Sequence, residues 1–179
     1  MRRACVLYVL TFSCLISATT IVPTSVEELT GNSSHVVEAL AAESWARWDS
    51  QHRFIYTYTR FQISASLKGN PPSDVVVKQL GGSAEGYTQK VAGVRGWAPG
   101  ERAVLFLRPS MEKDGSFEVT GLMQGNFRIR ASSTGETLVS NGVQGVSSYQ
   151  ASSGGITKFR GNQMRLEELE SRVRRTAGK

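Results

Sequence analysis

The chain has 179 residues and carries 21 lysines and arginines against 15 acidic residues. The excess sits at the ends: Arg2 and Arg3, then seven basic and three acidic residues from Lys158 to Lys179, while Thr19 to Thr157 holds 12 of each. A neutral body offers no net basic face for nucleic acid. With cysteine only at Cys5 and Cys14, the remainder has no thiolate zinc site, cysteine nucleophile or disulfide framework.

Arg2 and Arg3 precede an apolar run from Ala4 to Ser17, and the small residues Ser17 and Ala18 follow. This is the pattern of an export signal cleaved after Ala18, giving a periplasmic or extracellular protein. Its run of about fourteen residues is shorter than the ~20 that span a bilayer, so no integral span is expected after cleavage. Lipid attachment at Cys14 needs small residues before it, and Phe12 interrupts them. About 160 residues then remain, enough for one core without staples. The expected organisation is a leader at 1–18, a β-barrel domain at 19–130, a Ser/Gly-rich extension at 131–161 with one short strand, and a helix at 162–176.

Within the barrel, Ser25 and Glu28 have the spacing of a capping box for a short helix ended by Gly31 or Asn32. His35 to Trp45 is rich in alanine and glutamate, which favour helix, but Val37, Ala39 and Ala41 share one parity and the long strand that follows favours a strand here. The turn Asp49-Ser50-Gln51-His52 separates it from the longest alternating stretch. There Ile55, Thr57, Thr59, Phe61, Ile63, Ala65 and Leu67 alternate with Tyr56, Tyr58, Arg60, Gln62, Ser64 and Ser66. Straight, thirteen such residues would reach roughly 43 Å at about 3.3 Å each. A compact domain of this size has a radius of gyration of only ~13–16 Å. The strand is therefore expected to curl and to meet different neighbours at its two ends.

Asp74 to Leu80 predicts a strand stopped by Gly81-Gly82, and Tyr87 to Val91 a weaker one. Ala103-Val104-Leu105-Phe106-Leu107 is continuously apolar, which predicts a strand covered on both faces or a barrel wall under the terminal helix. Asp114-Gly115 marks a hairpin returning through Phe117 to Leu122, and Phe127 to Arg130 alternates again. The Ser- and Gly-rich 131–155 stretch reads as an extended connector, with Thr137 to Val139 as its short strand. In the terminal helix Leu166, Leu169 and Val173 form one stripe, expected to dock on the barrel, closing one mouth or covering the 103–107 strand. Glu168 with Arg172 and Glu170 with Arg174 have the spacing of intrahelical ion pairs.

The residues supply little for catalysis. His35 and His52 are the only imidazoles, His52 lies three residues after Asp49, and no metalloprotease, nucleophile-elbow, phosphate-loop or dinucleotide motif occurs. No cofactor and no metal site are expected. Trp45, Trp48 and Trp97, beside predicted loops, can anchor a protein or stack on a sugar, with Tyr56 and Tyr58 flanking them. The competing expectation is that tryptophans of a small barrel pack its core or rim.

Ser34-His35-Val36-Val37, the strand end Phe61 to Gly69, and Pro99-Gly100-Glu101-Arg102 running into Leu107 resemble exported bacterial domains without assigned activity. Their order is also similar to the netrin and tissue-inhibitor-of-metalloproteinases type of OB-fold, in which a hydrophobic-Lys-Gly strand end precedes a Gly-x-x-hydrophobic strand. The resemblance implies a mainly β fold: a small OB-like Greek-key β-barrel with a short N-terminal helix and a C-terminal amphipathic helix. It does not carry those inhibitors' mechanism, which uses an N-terminal cysteine on the target's zinc. The expected function is a non-enzymatic extracytoplasmic binding or accessory module with a protein or glycan partner. The alternatives are a peptidase-directed inhibitor or partner, and a hydrolase using His52 with Asp49.

Overall fold

The computed structural model describes residues 19–142, 146–150 and 154–178, and the expected leader at 1–18 lies outside them. Strand β1 (Thr19–Ile21) leads through Pro23 into helix α1 (Val26–Gly31). Its start is the expected box: Ser25 Oγ accepts the Glu28 N–H at 3.1 Å, and the Glu28 carboxylate accepts the Ser25 N–H at 2.8 Å. Two long strands follow, β2 (His35–Trp48) and β3 (Ile55–Lys68), then β4 (Asp74–Leu80). A small hairpin, β5 (Gly82–Ala84) with β6 (Tyr87–Gln89), precedes the loop to β7 (Arg102–Pro109). The Asp114-Gly115 turn returns the chain as β8 (Phe117–Val119), and a 3₁₀ turn at Leu122–Gly125 continues into β9 (Asn126–Ala131).

Strands β2, β3 and β4 form an antiparallel meander. β4 meets β8 in parallel at Val77 and Phe117, β8 pairs antiparallel with β7, and β7 returns to β2. The cyclic order β2-β3-β4-β8-β7 closes a five-stranded Greek-key barrel of the OB type. β3 pairs with β2 over its whole length but with β4 only from Tyr56 to Gln62. Its far end turns to the helices instead: Leu67 is buried beside Leu29 and Leu169. Lys68 Nζ donates to the Thr30 and Ser33 carbonyls at 2.6 and 2.7 Å, closing the end of α1. The next residue must be glycine, because at its φ of +76° a Cβ would lie 2.5 Å from the Ser34 carbonyl oxygen.

Strand β7 explains its own composition. Ala103, Leu105 and Leu107 point into the barrel with Val37, Phe61, Val77 and Trp97. Val104 and Phe106 point the other way, into a second layer with Val26, Leu29, Phe127, Leu169 and Val173. Both faces of this strand are covered, as the unbroken apolar run requires. The covering helix is α2 (Leu166–Ala177), with Leu169 and Val173 fully buried and Leu166 at the edge of the layer.

The stretch 131–161 is not the extension expected from its composition. β10 (Thr137–Ser140) pairs with β9 and continues the main sheet, and Val139 is fully buried. β11 (Val146–Gln150) and β12 (Gly155–Lys158) form a second sheet with β1. Met123, Val146 and Phe159 make a small third core. β13 (Gln163–Arg165) pairs with β10, so α2 begins at Leu166 rather than Asn162. No helix among the described residues is long and apolar enough to cross a membrane.

Candidate functional site

Position Ala42 decides what the first hairpin presents. Before it Val37, Ala39 and Ala41 face the barrel, and Ala41 opposes the buried Phe61. The next pair is Glu43 with Arg60, so Ala42 is an unpaired bulge residue and the parity of β2 flips there. Ser44, which bonds Thr59 at 2.7 Å, then shares the inner face. Glu43, Trp45 and Arg47 turn outward. Without the bulge Trp45 would have continued the inward row of Val37, Ala39 and Ala41.

The outward row lines up across three strands: Trp45 beside Tyr58 beside Lys78, and Arg47 beside Tyr56 beside Leu80. Directly opposed residues share a face, so these side chains meet. The Trp45 ring lies 5.8 Å from Tyr58 at 11° and remains 38% exposed, whereas Tyr58 is 6% exposed. The Arg47 guanidinium sits 4.5 Å above the Tyr58 ring. Lys78 Nζ lies 4.0 Å from the Tyr56 centroid and 5.7 Å from that of Tyr58. Glu43 and Arg60 close one margin with an ion pair at 2.9 Å.

Lys78 is 4% exposed and is held by the β7–β8 turn, through an ion pair to Glu112 and with Asp114 at 3.8 Å. Burial alone pushes its ammonium toward the neutral form, but Glu112, Tyr58 and Asp114 together outweigh this, and its pKa lies above the ordinary lysine value. Burial likewise raises the Tyr56 phenol. Lys78 therefore stays charged as a fixed strut under the aromatic rings. Beside Tyr56 a cleft of about 220 Å³ opens between Lys78, Leu80, Arg108, Glu118 and the exposed Leu122.

The five aromatic residues singled out in the sequence divide. Trp45, Tyr56 and Tyr58 form this platform. Trp97 does not reach it: the ring is 5% exposed, packs edge-on against Phe61 at 5.0 Å, and donates from Nε1 to Asn126 Oδ1 at 3.3 Å. The expected common surface of three tryptophans is corrected on that point, and Trp97 is a core residue. Trp48 opposes the buried Ile55 on the inner side of the hairpin tip. It stacks on His52 at 4.5 Å and meets Tyr87 edge-on at 5.6 Å.

The other titratable candidates also have assignments. Asp49 Oδ1 accepts the Arg53 and Phe54 N–H groups at 2.7 and 3.3 Å, which builds the β2–β3 turn and holds its carboxyl below the ordinary range. The His52 ring faces Glu85, with Nε2 3.7 Å from its carboxylate, rather than Asp49. His35 packs edge-on against Phe117 at 5.4 Å. Among the described residues no three His, Cys, Asp or Glu side chains gather as a metal-binding group.

Arg47 and Lys78 were not among the residues that the sequence pointed to. The signal for Lys78 was present, as a charge following Val75-Val76-Val77 in an otherwise apolar strand. Arg47 needed the Ala42 bulge, which alternation does not reveal. No model of a known protein family matches the chain, and no curated protein matches it either.

Proposed function

We propose that the protein is a non-enzymatic, extracytoplasmic binding module. Its contact surface is the outer face of β2, β3 and β4, centred on Trp45, and its partner is another protein or a glycan. The observation that carries this is the half-exposed Trp45 ring, stacked flat on a buried tyrosine that Arg47 and Lys78 hold from its other sides. An aromatic ring fixed in this way presents apolar area at little cost in side-chain entropy, which is the property of interface anchors and sugar platforms. The adjoining cleft, about 220 Å³, is smaller than the ~300–1,000 Å³ of small-molecule pockets. A partner side chain or one sugar ring fits it better than an enclosed ligand. The leader-like residues up to Ala18 support export.

The resemblance to the netrin and metalloproteinase-inhibitor type of OB barrel supports a peptidase-directed partner as a narrower form of this reading; the fold by itself does not select it. A glycan array and capture from envelope and secreted fractions, run with wild type and the Trp45→Ala/Arg47→Ala double variant, test the proposal. Ligands kept by the wild type and lost by a folded double variant are the expected result. Equal capture by both proteins refutes the surface. A panel of exported peptidases unaffected by the protein refutes the narrower form alone.

A further inference from the structure

A second cleft, of about 500 Å³, opens between the loop after β6 and strands β9 and β10, and shares only Val94 with the cleft beside the aromatic platform. Arg95, Arg128 and Arg130 all line it, with Gly93 and Ser140. Arg128 forms its inner wall: the side chain is 9% exposed, Nη2 donates to the Gly96 carbonyl and Nη1 reaches Glu101, each at 2.5 Å. Glu101 is already shared, since it accepts the Ala98 N–H at 2.8 Å and lies 3.5 Å from Arg95 Nη2. Arg130 has no carboxylate within 4.0 Å among the described residues. Three guanidiniums against one carboxylate leave this cleft with a formal charge of 3 − 1 = +2.

A role as structural strut accounts for Arg128, which ties β9 to the 96–101 loop. It does not account for Arg95 and Arg130 facing the same space in a body whose charges sum to zero. Arginines remain charged at any pH the fold survives, so the positive charge that Glu101 leaves unbalanced favours an anion in this space. We infer that this cleft is a binding site for a small ligand bearing two negative charges, a phosphate or sulfate ester or a dicarboxylate. Guanidinium forks match the paired oxygens of all three. Arg95 and Arg130 supply the free donors, and Arg128 fixes the field at the inner end.

Calorimetric titration of the purified protein with phosphate, sulfate and succinate at constant ionic strength tests this, with acetate as the single-charge control. The expected result is saturable one-to-one binding of at least one dianion, stronger than acetate and weakened by about tenfold or more in Arg95→Gln/Arg130→Gln. That variant leaves the Arg128 strut in place. Arg174→Gln, on the exposed side of α2, should bind as the wild type does. Preference for succinate over phosphate, or the reverse, identifies the ligand's acid group. Absence of saturable binding by all three dianions overturns the inference, as does equal affinity in wild type and the Arg95→Gln/Arg130→Gln variant.

Discussion

Arg172 on α2 grips Glu27 on α1 with two parallel bonds, Nε to Oε1 at 2.9 Å and Nη2 to Oε2 at 2.7 Å, across 145 residues of sequence. The Arg172 hydrogen bonds hold the Glu27 carboxyl at about 2, well below the ordinary glutamate value. A depressed folded-state pKa gives stability that is complete above the unfolded pKa, near 4.5, and is lost as pH falls toward 2. Glu27 is half-exposed, so solvent screening limits the contribution to about 0.2–1 kcal/mol. Thermal melts should show Glu27→Gln below wild type by a few degrees at pH 7 and the gap closing between pH 4.5 and 2. A gap that stays constant over that range would remove the pair from the stability of the fold.

The second layer of the core depends on α2. Leu169 is fully buried between α1 and the outer face of β7, and a leucine so placed costs about 2–5 kcal/mol when cut to alanine. Leu169→Ala should lower the urea midpoint accordingly, and removal of α2 should expose Val104 and Phe106 and raise dye binding. An unchanged midpoint for Leu169→Ala would mean that the helix is not docked in solution.

Much of this layering was legible from local pattern. Ser25 and Glu28 announced α1 because a capping box lies within four residues, and the 103–107 run announced a strand with two covered faces because burial selects against polar residues on both. What could not be read depends on distance or on single insertions. The spacing pointed Arg172 to Glu168, its neighbour on the same helix, whereas its hydrogen-bonding partner is on another element. β11 and β12 escaped because serine-rich strands on a small core carry little alternation. Trp45 was marked by its place beside a loop, but its outward face could not be read from alternation, because one extra residue, Ala42, reverses its side of the sheet.

The separation of the tryptophans predicts opposite phenotypes. Trp97→Ala removes a buried ring and leaves Asn126 without its indole donor, a loss of about 3–5 kcal/mol. Trp45→Ala removes a ring that is more than a third exposed and should change stability far less, within about 1 kcal/mol beyond its stacking on Tyr58. Chemical denaturation of the two variants checks this. Comparable losses would place Trp45 in the core and remove the platform.

The face carrying Trp45 is the proposed meeting place with the partner. Hydrogen exchange measured on the protein alone and in complex with a captured partner locates the contact directly. Added protection is expected on Glu43–Arg47, Tyr56–Arg60 and Val76–Lys78, the three strand segments beneath the platform. Protection confined to α2, or to the loop around Arg95, with those three segments unchanged, would contradict it.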